Sequence, residues 1–253
     1  MGKLKKIYIF LIVFVSIQIM NLLLNKISSH LYDLFSTNNS VKSVVIATIS
    51  ELIQLSLAIF IFKIVYRENI SKLGINLKNI KLSLKIFFLF TIIWILLTFT
   101  FLIATYIFNK SLWYNYLHTP LPSKEYILAY LGFAAIFPGI GEETLFRGLL
   151  IFIFLRAGFK GSIKIKKINI SYVAILTAII FTFAHVYYKI YPFEILHINY
   201  IQLLMAFSCG IYYAVVYEKT ESLLCTILSH NYANLITSLL GYALSILGSG
   251  IVN

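Results

Sequence analysis

Residues 86–108 read IFFLFTIIWILLTFTFLIATYIF, without a charge, a proline or a glycine. Wound as a helix at ~1.5 Å per residue, the stretch reaches ~34 Å, enough to cross the hydrocarbon core of a bilayer. It is apolar on every side, so it has no face to turn to water. Similar runs occur at about 7–24, 44–66, 126–155, 171–188, 198–217 and 222–247. The expected fold is therefore all-α, a polytopic helical membrane bundle of about seven transmembrane helices, with residues 1–253 forming one membrane domain.

Composition excludes the alternatives. The 253 residues are 60% hydrophobic and 12% charged, with a mean hydropathy of +0.89. Soluble domains carry roughly 25% charge and 45–50% apolar residues. A soluble globular domain, a disordered chain and a collagen-like chain are all ruled out. The net charge of +12 would suggest nucleic acid in a soluble protein, but cytoplasmic loops of membrane proteins accumulate Lys and Arg. With the N-terminus inside, fifteen of the basic residues fall on inner segments and five on outer ones, with Arg147 left in a span. The expected setting is thus the cell membrane, multi-pass, with a cytoplasmic N-terminus, the bilayer as partner and no nucleic acid. The bias toward Ile, Lys, Asn, Tyr and Phe points to an AT-rich, bacterial genome.

Smaller features follow the same logic. The first run, preceded by Lys3, Lys5 and Lys6, has no small-residue cleavage site and reads as a retained anchor that exits near Asn21 to Asn25. Lys alternating with Ile and Leu over 70–85 suggests an amphipathic segment on the inner membrane surface. Cys209 and Cys225 read as buried free thiols.

Ionisable groups inside a span are costly, and so mark function by default. The fourth run contains Pro138-Gly139-Ile140-Gly141-Glu142-Glu143-Thr144-Leu145-Phe146-Arg147. The Pro and Gly residues are expected to kink the helix and admit water. Glu143 and Arg147 are four apart, share a face and can form an ion pair. Glu142 points about 100° away, without that partner, and is a candidate base. The fifth run contributes Phe181-x-x-x-His185 and the seventh His230-x-x-x-Asn234, the latter pair one helical turn apart and able to converge on one atom. Glu51 and Gln54 read as an interhelical hydrogen-bonding spot.

Three ordered blocks, Glu142-Glu143-x-x-x-Arg147, Phe181-x-x-x-His185 and His230-x-x-x-Asn234, resemble the signature of the CAAX-protease and bacteriocin-processing (Abi) family of intramembrane endopeptidases. The resemblance covers residues 125–245. It implies hydrolysis of a peptide bond in a hydrophobic or membrane-associated peptide or protein, as in bacteriocin, peptide-signal or CAAX-type processing. Glu142 would act as general base, with His185 holding and polarising the water. His230 and Asn234 would donate to the oxyanion, and Arg147 would hold Glu143 ionised. No cofactor is favoured. The rival is zinc ligated by Glu142, His185 and His230, although the His-Glu-x-x-His spacing is absent. The alternative outside enzymology is a non-catalytic membrane scaffold in cell-envelope regulation or bacteriocin self-immunity.

A depth problem accompanies these roles. Counted along straight spans, Glu142, His185 and His230 do not meet. Either the fourth helix is offset at its Pro-Gly break, or the fifth starts earlier or tilts. The pocket is expected to open toward the cytoplasm.

Overall fold

In the computed structural model, which describes residues 2–34, 41–189 and 191–251, 78% of the chain is helical. The order begins with α1 (Lys3–Leu34), α2 (Lys42–Phe60), α3 (Ile80–Phe108), α4 (Lys110–Leu117), α5 (Lys124–Glu143) and α6 (Leu150–Arg156). It continues with a hairpin of β1 (Ser162–Ile165) and β2 (Ile168–Ser171), then α7 (Tyr172–Phe183). A second hairpin of β3 (Tyr187–Lys189) and β4 (Glu194–His197) leads to α8 (Tyr200–Thr220) and α9 (Leu224–Ile251). Two π turns, Ile61–Val65 and Thr144–Leu149, extend α2 and fuse α5 to α6 into one column.

Five helices, α1, α2, α3, α8 and α9, are long and apolar enough to cross a membrane, which makes this a multi-pass membrane protein. The α5–α6 column accounts for the run at 126–155. The run at 171–188 departs from expectation, because α7 has only 12 residues, ~18 Å of rise. After Phe183 the backbone tightens, with His185 N–H donating to the Thr182 carbonyl and Val186 N–H to that of Phe183. The chain then leaves the helix for β3, so one apolar run is divided between a short helix and a strand.

Local chemistry starts the helices. Ser123, Ser171 and Asn199 cap α5, α7 and α8, each side-chain oxygen accepting from a first-turn N–H. The segment 70–85 is not a free amphipathic helix. Its 3-10 turn, Ile70–Leu73, buries Leu73 completely, and the loop is lashed to the α8–α9 turn. Leu223 N–H donates to the Gly74 carbonyl, the Ser222 hydroxyl donates to the Asn76 carbonyl, and Lys78 pairs with Glu221.

The column lies at the centre. Leu145, Phe146, Leu149, Leu150 and Ile151 are buried, with α2 and α9 packed along α5, α7 against α6, and α7 also against α8. By contrast α3, the helix of the opening stretch, touches α9 and leaves Phe88, Ile92, Leu96 and Ile103 exposed for lipid. The most polar apolar-rich segment is thus shielded from the bilayer by the others.

Candidate active site

Glu142 and Glu143 close α5 where it passes into the π turn, a distortion that recurs at functional sites. Every residue of that turn is buried. The helix runs on through Pro138 to Glu143. Asn231 of α9 reaches across to it, accepting from Gly139 N–H at 2.7 Å and donating to the Ile136 carbonyl at 3.0 Å. A Cβ at position 139 would lie 2.7 Å from both Asn231 Oδ1 and the Ile227 carbonyl, so the close approach of α5 to α9 needs glycine there. Neither Asn231 nor its clamp is legible in the motif.

The two glutamates meet different surroundings. Glu143 is fully buried, and its Oε1 accepts from Arg147 Nη1 at 3.0 Å and from His230 Nδ1 at 2.8 Å. The expected ion pair therefore forms, with His230 as a third member. Arg147 is also fully buried, its guanidinium carbon 4.3 Å from the Phe181 ring and 5.4 Å from that of Tyr213. These faces offset part of the cost of burying the cation. Tyr213, which carries no motif, also stacks on His230 at 5.5 Å.

Glu142 faces a cavity of about 200 Å³. Its Oε2 has no hydrogen-bond partner and lies 3.7 Å from His230 Nε2. His185, just beyond the end of α7, shares the cavity wall. His185 Nδ1 is 2.8 Å from the Phe181 carbonyl, which can only accept, so Nδ1 carries the hydrogen. In the neutral ring Nε2 then keeps its lone pair. Phe181 ties the blocks together, its ring 4.8 Å from that of His185, 6.1 Å from that of His230 and beneath Arg147. The early end of α7 leaves His185 in the turn that follows, where it shares the cavity with Glu142.

Asn234 lies one helical turn beyond His230 on α9, half-buried, its side chain making no hydrogen bond and lying outside the cavity lining. His230 touches Glu142 without lining the cavity itself. The remaining wall comes from elements the motifs do not reach. Asn21 and Asn25 on α1, with Ser50, Glu51 and Gln54 on α2, all face the cavity. Asn21 to Asn25 is therefore no helix exit, because α1 runs on to Leu34. The signal lay in the sequence as a polar stripe, Gln18, Asn21 and Asn25, at helical spacing. Glu51 and Gln54 are likewise corrected, from interhelical glue to cavity lining.

Among the described residues, no three His, Cys, Asp or Glu side chains are grouped so as to hold a metal ion. His230 Nδ1 is held by Glu143, so Nε2, 3.7 Å from Glu142 Oε2, is the ring nitrogen it presents.

Residues 124–236, from the start of α5 into α9, match the family model described as Type II CAAX prenyl endopeptidase Rce1-like. The matched segment contains all three blocks, while α1, α2 and α3 lie outside it. No curated protein and no solved structure matches the chain. Over residues 124–236 this multi-pass membrane chain is therefore similar to the Rce1-like type II CAAX prenyl endopeptidase family.

Proposed function

We propose that the chain hydrolyses a peptide bond in a hydrophobic or membrane-associated peptide, using a water activated by Glu142. Supporting this most directly is the unpartnered Glu142 Oε2 on a cavity wall shared with the free Nε2 of His185. Two acceptors around one small space suit a water, which has two hydrogens to give. Glu142 takes one proton as the oxygen attacks the carbonyl carbon. That proton then passes to the amine nitrogen as the C–N bond breaks, leaving a carboxylic acid and a free amine. His230, gripped at Nδ1 by Glu143 and 3.7 Å from Glu142 at Nε2, donates from Nε2 to the oxyanion when protonated. Asn234, one helical turn away and outside the cavity lining, takes the role of second donor on the family resemblance alone. In this reading 125–245 is the catalytic core of a single membrane domain, the N-terminus is cytoplasmic on the charge bias, and no step requires a metal.

The test uses full-length protein reconstituted in vesicles and a panel of hydrophobic peptides read by mass spectrometry. Glu142→Gln is expected to lower turnover by about 100- to 10,000-fold with unfolding temperature unchanged. Chelation of the wild type is expected to leave activity intact. Turnover of Glu142→Gln within a few-fold of wild type would sink the assignment. Zinc-dependent recovery after chelation would replace the base with a metal site.

A further inference from the structure

Glu51 is the buried carboxylate that the proposed chemistry does not use. It sits on α2, outside the matched segment, with 9% of its surface exposed. Its Oε2 has no hydrogen-bond partner, and the residue lines the same cavity as Glu142. The placement is built in: a Cβ at position 141 would collide with the Glu51 carboxylate and crowd its backbone, so glycine just before Glu142 lets α2 come this close. Glu51 and Glu142 are near enough to act on each other electrostatically.

Glu143 has partners at Oε1, Arg147 and His230, although its Oε2 has none. The Glu51 carboxylate makes no hydrogen bond or ion pair with any described residue. Among the described residues no Lys or Arg lines the cavity, and Arg147 is spent on Glu143. His230 Nε2 lies 3.7 Å from Glu142, which leaves Glu51 as the carboxylate with no cation beside it, and a buried unpaired carboxylate is strongly disfavoured. Beside them Asn21 Nδ2 is a buried donor without an acceptor, suited to a peptide carbonyl. A peptide that brings a cation to Glu51 and a backbone carbonyl to Asn21 satisfies both groups.

We propose that Glu51 receives the side chain of a lysine or arginine close to the scissile bond, so that the substrate is an apolar peptide carrying a basic residue there. This deepens the endopeptidase reading of the same cavity and rests on it. Glu51 is a specificity residue supplied by α2, and the first two helices complete a site whose chemistry lies in the matched segment.

The experiment uses reconstituted full-length protein and one apolar peptide with Lys, Arg, Gln or Glu placed at each position in turn. At one position Lys or Arg is expected to raise kcat/KM roughly 10- to 100-fold over Gln, the effect of a charge-assisted hydrogen bond. Glu51→Gln should collapse that ratio toward one, and Glu51→Lys should favour Glu at the same position. A purely structural role would depress all peptides alike and leave the ratio standing. Binding of the same peptides to Glu142→Gln protein, read as a shift in unfolding temperature, supplies an arm without chemistry. Equal cleavage of Lys and Gln peptides, or a preference that survives Glu51→Gln, overturns this inference and leaves the endopeptidase reading intact. Lysine-selective binding that Glu51→Gln removes, in a protein that cleaves nothing, upholds the cation site and overturns the endopeptidase reading. Neither selective binding nor cleavage overturns both.

Discussion

Two faces of one helix, a single residue apart, show how this chain separates stability from chemistry. On the Glu143 face the two opposite charges are dry and paired, with Glu143 Oε1 held by Arg147 and His230 and the guanidinium laid on Phe181 and Tyr213. Glu143 Oε2 and Arg147 Nε and Nη2 make no hydrogen bond to a described residue. On the Glu142 face a carboxylate oxygen stands without a partner at the edge of a cavity. A buried ion pair ties its surroundings together, whereas a carboxylate at a cavity is open to a ligand. The contrast shows that the two adjacent glutamates are not redundant: one is tied into the core by Arg147 and His230 and the other faces the cavity.

The comparison can be broken most severely at Glu143. Glu143→Ala strands Arg147 in the core, and leaving one member of a buried pair costs about 3–5 kcal/mol. Unfolding in detergent should register that loss together with loss of activity. Adding Arg147→Met should recover much of the stability, because the orphaned charge is gone, but not the activity, because His230 remains unsupported. A Glu143→Ala protein as stable as wild type would show that the pair does not hold the helix.

A smaller effect is expected at Asn231, which links the two faces to α9. Asn231→Ala removes both hydrogen bonds that join α9 to α5 beside Pro138, and a typical intramolecular hydrogen bond contributes about 0.5–1.5 kcal/mol. Activity should fall as well, since the segment carrying Glu142 follows directly. Unchanged stability would remove the clamp from the account.

The smallest effect tests whether environment, rather than spacing, gives the Glu143–Arg147 pair its weight. Glu68 and Lys72 have the same four-residue spacing but lie exposed outside the spans, 2.8 Å apart. The hydrogen bond from Lys72 holds the Glu68 carboxyl below its ordinary value, aided by Arg156. A lowered carboxylate pKa contributes stability above the unfolded value that is lost as pH falls through the folded one. Lys72→Ala should therefore weaken the acid dependence slightly and leave the unfolding temperature at neutral pH unchanged, because exposed pairs contribute little. A clear drop at neutral pH would show that spacing alone carries weight here.

The sequence by itself determined the membrane bundle, the ordered blocks and the Glu143–Arg147 pair. Each depends on quantities that run along the chain: hydropathy over ~20 residues, a period of 3.6 and a spacing of four. Only the tertiary structure decided the rest, because it depends on which helices touch. The clamp by Asn231 exists because α9 lies against a proline-bearing helix. The place of His185 depends on α7 stopping at Phe183, although the apolar run continues. The polar stripes of α1 and α2 carry no motif and acquire meaning only when Gly141 lets α2 bring Glu51 up to Glu142. A side chain's type and period are local properties, whereas its partner is set by packing between segments far apart in sequence.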